Sequence, residues 1–88
     1  MTQFPHIHLN DTSGAVLFEE YISAIQAVRD AFKAVSGITV HGRDYYLIPG
    51  NAAEIAYAEH RQHLAYLELV EKELMSIAEH IDRQLPQS

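Results

Sequence analysis

The chain has 88 residues, 48% of them apolar, six Lys and Arg against twelve Asp and Glu, six His and no cysteine. That length holds one domain, and so apolar a composition argues against disorder, while the lack of cysteine excludes a disulfide framework or a thiolate metal centre and fits a reducing cytoplasm. A formal charge of −6 disfavours general DNA or RNA binding, which needs a basic footprint, yet it leaves room for one small anion at a locally basic spot.

Residues 1–12 form a polar arm. They lack the basic segment and continuous apolar core of a signal peptide, and nowhere does the chain approach the roughly 18 apolar residues of a membrane span. An extended arm sets His6 and His8 on one face and Ile7 and Leu9 on the other. It would then pin itself by Ile7 and Leu9 and offer His8, Asn10 and Thr12 to a ligand. The plainer alternative is a tail whose polar residues cap the helix that follows.

The first helix is expected over residues 13–36, with Thr12 or Ser13 as its cap. Phe18, Ile22 (with Tyr21), Ile25, Val28, Phe32 and Val35 recur every three or four positions, an apolar stripe of helical period. Ser36-Gly37 should end it, with Gly37 supplying a left-handed terminus.

The connector, residues 37–51, is rich in β-branched and aromatic residues around a His41-Gly42 turn. It reads as a short β-hairpin or as irregular structure. Within it, Gly42-Arg43-Asp44-Tyr45-Tyr46 combines a planar guanidinium fork for phosphate or carboxylate with aromatic faces for stacking. The bland alternative is an Arg43–Asp44 surface pair with tyrosines sealing the helix junction.

The second helix is expected over residues 52–85, opened by an Asn51–Glu54 capping pair and stopped before Pro86. Its heptad seam runs Ala53, Ala56, His60, His63, Leu67, Val70, Leu74, Ile77, Ile81. Histidines at two seam positions need polar partners, so His60 and His63 beside Arg61 mark either a polar cavity or satisfied core groups. Antiparallel packing brings them towards the connector, whereas the arm starts from the opposite end. Two helices cover one seam and leave Leu17, Ile55, Tyr57, Leu64, Tyr66 and Leu69 uncovered. A lone hairpin hides too little surface to offset chain entropy. The expected fold is therefore an all-α antiparallel helical hairpin that assembles as a homo-oligomeric bundle, a dimeric four-helix bundle being the simplest case.

His6 with His8, and His60 with His63, would suit zinc by ligand type, but no cluster has the spacing of a zinc signature. No nucleophile elbow, phosphate-binding glycine loop or H-E-x-x-H motif points to catalysis. Neither a metal, a cofactor nor an enzymatic reaction is expected.

Three short motifs, His-Leu-Asn-x-Thr-Ser at residues 8–13, Gly-Arg-Asp-Tyr-Tyr at 42–46 and Glu-His-Arg-x-x-Leu at 59–64, joined by two helices, resemble a family of short bacteriophage and prophage proteins over nearly the whole chain. The chain departs from that pattern at Asp11, where the family has glycine, and in the more apolar run Leu47-Ile48-Pro49-Gly50. By size, provenance and polar motifs it is similar to phage "sponges" that sequester the nucleotide second messengers of bacterial immunity. That resemblance implies a cytoplasmic protein of the infected host cell that binds a nucleotide-derived ligand without turnover. Arg43 and Arg61 would hold phosphate, Tyr45 or Tyr46 would stack, and His8, Asn10, Thr12, Asp44, His60 and His63 would add polar contacts. The rival expectation is a protein-interaction module that acts on a host or phage protein through an acidic helical face of Glu59, Glu68, Glu71, Glu73, Glu79 and Asp82.

Overall fold

Apolar residues spaced three and four apart generate two helices, and the antiparallel packing of their stripes is the fold. A computed structural model describes residues 2–7 and 13–86. It contains α1, Ser13–Ser36, and α2, Ala52–Gln84, joined through a 3-10 turn at Gly42–Asp44, with no strand among the described residues. Among the described residues the connector carries a 3-10 turn and no strand. Asp44 N–H donates to the His41 carbonyl at 3.1 Å, Tyr45 N–H to Gly42 at 2.9 Å and Ile48 N–H to Tyr45 at 3.0 Å. Local bonds close these turns without a facing strand.

The helix ends differ from expectation in two details. Gly37 N–H lies 3.2 Å from the carbonyls of both Lys33 and Ala34, and Ile38 N–H donates to Val35 at 3.0 Å. This is a tightened last turn, and the glycine with positive φ is Gly50, at 83°. Asn51 occupies the N-cap of α2 without a side-chain cap bond, so the Asn51–Glu54 capping pair does not form. The far end follows expectation: Leu85 is extended before Pro86, as the residue preceding a proline should be.

Heptad counting also misplaces part of the seam. His63 is exposed, while Leu64 next to it is half-buried. Val70 is exposed and Glu71 half-buried. The inward stripe of α2 runs His60, Leu64, Leu67, Glu71, Leu74, Ala78 and Ile81. It keeps the alternating four-and-three spacing of a heptad seam, with the second position of each repeat one residue later than the sequence count placed it.

Only Ile25, Ile77, Ala78 and Ile81 are buried hydrophobic residues among those described. All lie nearer the arm end of the hairpin than the connector end. The molecule measures 63 × 23 × 15 Å with a radius of gyration of 19.1 Å, against about 12 Å for a globule of this length. No helix of the described residues is long and apolar enough to cross a membrane.

The arm closes the base. Phe4 stacks on His80 with ring centroids 4.8 Å apart. Ile7 N–H donates to Gln84 Oε1 at 2.8 Å, and Gln84 Nε2 donates to the Pro5 carbonyl at 3.1 Å. Gly14 is buried beneath this contact, where an added Cβ would sit 2.6 Å from Ile7 Cγ2 and 3.1 Å from Leu85 Cδ2.

Candidate functional site

The connector end presents the densest group of polar and aromatic side chains selected from the sequence. Tyr45, Tyr46 and Gly42 line a hollow of about 250 Å³ with Asn51 and Glu54 at the start of α2. Tyr45 is half-buried, whereas Tyr46 is 76% exposed, so Tyr46 is the freer stacking surface. Arg43 and Asp44 stand exposed on the same turn. Among the described residues the Arg43 guanidinium has no carboxylate within ion-pair distance, so the Arg43–Asp44 pair does not form.

Three residues not counted as site residues from the sequence belong here. Asn51 and Glu54 line the hollow, and Tyr57 Oη lies 3.5 Å from where a Gly42 Cβ would stand. Tyr57 is one and a half turns into α2, so its approach to the 3-10 turn follows from the return of the chain, which periodicity alone does not encode.

His60, Arg61 and His63 do not line this hollow. His60 faces the helix pair and is half-buried; Arg61 and His63 are exposed. They lie about 12–17 Å along the axis from Ala52, at 1.5 Å per residue. His8, Asn10 and Thr12 fall outside the described residues. Their flanks, Ile7 and Ser13, stand at the base, away from Gly42–Asp44 by most of the length of α2. One protomer therefore does not bring the flanks of the arm motif and the connector motif together.

Towards the base is a second hollow of about 240 Å³. Phe18, Ile22, Ile25, Met75 and Ala78 give it an apolar lining, and Arg29, Glu79 and Asp82 add charge. Arg29 spans the helices, with Nε 3.3 Å from Glu71 Oε2 and Nη2 3.6 Å from Met75 Sδ. Among the described residues no three His, Asp or Glu side chains gather as a metal site.

Fold and site together define a class: an elongated two-helix hairpin, clasped at its base by its own N-terminal arm and carrying an Arg-Tyr-Tyr turn at its tip. No family model matches the chain, and no curated protein or solved structure is similar to it.

Proposed function

We propose that this chain captures a small nucleotide-derived ligand at its connector end and holds it without turnover, as phage proteins that sequester immune second messengers do. The observation behind this reading is an exposed Arg43 guanidinium, without an ion-pair partner among the described residues, on the same turn as Tyr45 and Tyr46, which line the hollow. A guanidinium fork suits a phosphate, and an exposed phenol ring stacks on a base of any sequence. Arg61 adds a second cation farther along α2. Self-association belongs to the same reading, because four buried hydrophobic residues among those described make a slight core for a chain of this size. The proposed setting is the cytoplasm of an infected host cell.

Capture and turnover separate in a recovery experiment. The protein is incubated with a cyclic dinucleotide or trinucleotide, desalted and denatured by heat, and the released material is chromatographed. Intact nucleotide in the protein fraction supports capture. Linear or cleaved product marks an enzyme, and nucleotide found only in the free fraction counts against binding altogether.

A second reading, recognition of a partner protein, is favoured by the apolar hollow near the base with Glu79 and Asp82 on it. Its acidic surface is narrower than the sequence implies. At about 100° per residue, Glu68, Glu71, Glu79 and Asp82 share one side of α2, and Glu59 and Glu73 fall on the other. Charge reversal at Glu79 and Asp82 would abolish partner binding and leave nucleotide capture unchanged.

A further inference from the structure

We infer that the hairpin side carrying Ile55, Tyr66 and Val70 seats a second copy of this chain, set head-to-tail, so that the arm end of each copy lies over the connector end of the other.

The two broad sides of the hairpin differ. Taking α2 at about 100° per residue, Arg61, Glu68, Lys72 and Glu79 lie on the side of the Arg29–Glu71 ion pair and are all exposed. Ile55, Tyr66 and Val70 lie on the opposite side, 56%, 55% and 42% exposed. Across from Tyr66 and Val70, α1 presents Ala24, Val28, Ala31 and Val35, all half-buried, and Ile55 lies level with the connector, beyond the end of α1. Glu59, His63 and Glu73 are the polar interruptions on that side of α2. Tyr66 Oη already accepts from Gln62 Nε2 at 2.8 Å, which leaves its ring as an apolar surface.

The arm occupies the base of this same side. His80, which stacks on Phe4, and Gln84, which bonds to Pro5 and Ile7, continue the line of Tyr66, Val70 and Ile77. Ile77 is buried there, whereas Val70, two turns nearer the tip, is exposed. The described residues thus cover this apolar side up to about Glu73 and no farther.

Area and shape identify the missing occupant as another copy. From Ala52 to Glu73 the axis rises about 32 Å. Over a breadth of 23 Å this gives on the order of 700 Å², close to the roughly 800 Å² per partner of a stable interface. The arm makes the base thicker than the tip. Two copies in parallel would meet arm on arm and hold the uncovered stretches apart. Head-to-tail, each thick base lies at the partner's thin tip and the bare stretches meet. The exposed tip residues Tyr46, Leu47 and Ile48, of which Leu47 is 81% exposed, then gain cover from the partner's base.

Pairing stands independently of ligand; its consequence for the site rests on the capture reading. The hollow of about 250 Å³ at the connector falls short of the roughly 300–1,000 Å³ of small-molecule pockets. A neighbouring base would supply the remaining wall.

The chain has no cysteine, so single introduced cysteines report without background. The test uses full-length Leu47→Cys carrying a spin label, measured by pulsed dipolar spectroscopy without ligand. A head-to-tail pair separates the two labels by roughly 30–45 Å, the length of the overlap; labels close together at one end overturn the orientation. Mixed Gln3→Cys and Leu47→Cys chains should cross-link to each other in preference to themselves. Val70→Glu should weaken self-association by at least about tenfold, and Glu68→Lys on the charged side should leave it intact. Circular dichroism verifies that Val70→Glu keeps its helices, and the label distances do not depend on that variant. A monomer at micromolar concentration, or an assembly indifferent to Val70→Glu, would overturn the inference.

Discussion

Gln84 clasps the backbone on both sides of His6: its Oε1 accepts from Ile7 N–H at 2.8 Å while its Nε2 donates to the Pro5 carbonyl at 3.1 Å. The same Nε2 lies 3.2 Å from the His80 carbonyl, one turn back in α2. A single amide thus ties the arm to the last turn of the long helix. Gln84→Ala removes both arm bonds, each worth about 0.5–1.5 kcal/mol net. The expected result is a loss of about 1–2 kcal/mol in chemical denaturation and faster amide exchange at Ile7. Gln84→Glu keeps the acceptor and loses the donor, so it should fall between.

Gly14 and Ile7 are coupled by space. A Cβ at Gly14 would meet Ile7 Cγ2 at 2.6 Å, closer than such atoms pack. Gly14→Ala should destabilise despite alanine's helix preference of about 1 kcal/mol over glycine. Ile7→Ala vacates that space. In a double-mutant cycle the pair should show a favourable coupling of about 0.5–3 kcal/mol; additive effects would mean that the arm is not seated on Gly14.

Among the described residues Ile81 is the one large side chain with no exposure at all. Ile81→Ala should cost about 2–5 kcal/mol, enough to unfold a hairpin with so few buried groups. Loss of helical circular dichroism at room temperature is the expected readout. Ala substitution at exposed Ile55 should instead leave the helices in place.

The Arg29–Glu71 pair spans the helices at 3.3 Å, with side chains 50% and 28% exposed. Solvent screens such a pair, so Glu71→Gln should cost less than about 1 kcal/mol. The difference between this variant and the parent should shrink as salt is raised. A loss above that bound in high salt would contradict a surface pair.

Much of the architecture is readable from spacing. The stripe through Phe18, Ile25 and Phe32 defines α1, and Pro86 defines where α2 stops. What spacing does not carry is which of two adjacent positions turns inward, and distance. From His60 the stripe can step by three to His63 or by four to Leu64, and the structure takes the second, with His63 outward and Leu64 inward. The clasp of Gln84 on Pro5 and Ile7 joins residues nearly 80 positions apart, and no local pattern announces it. The connector motif is legible because Gly42, Tyr45 and Tyr46 fall within five consecutive residues and line one hollow. The grouping of Arg43 with His60 and His63 fails to close within one hollow, since α2 carries the histidines away by two to three turns.

The most direct test of capture is thermal unfolding of the purified protein against cyclic dinucleotides, cyclic trinucleotides and ADP-ribose derivatives. Ligand at 100 times its dissociation constant adds about 2.7 kcal/mol to the native state, roughly 10 °C or more for a chain this short. Such a shift is expected with one compound, as is its loss in Arg43→Ala, whose exposed side chain contributes little to the fold. A flat panel, or a shift that survives Arg43→Ala and Tyr46→Ala alike, would contradict a nucleotide site at the connector.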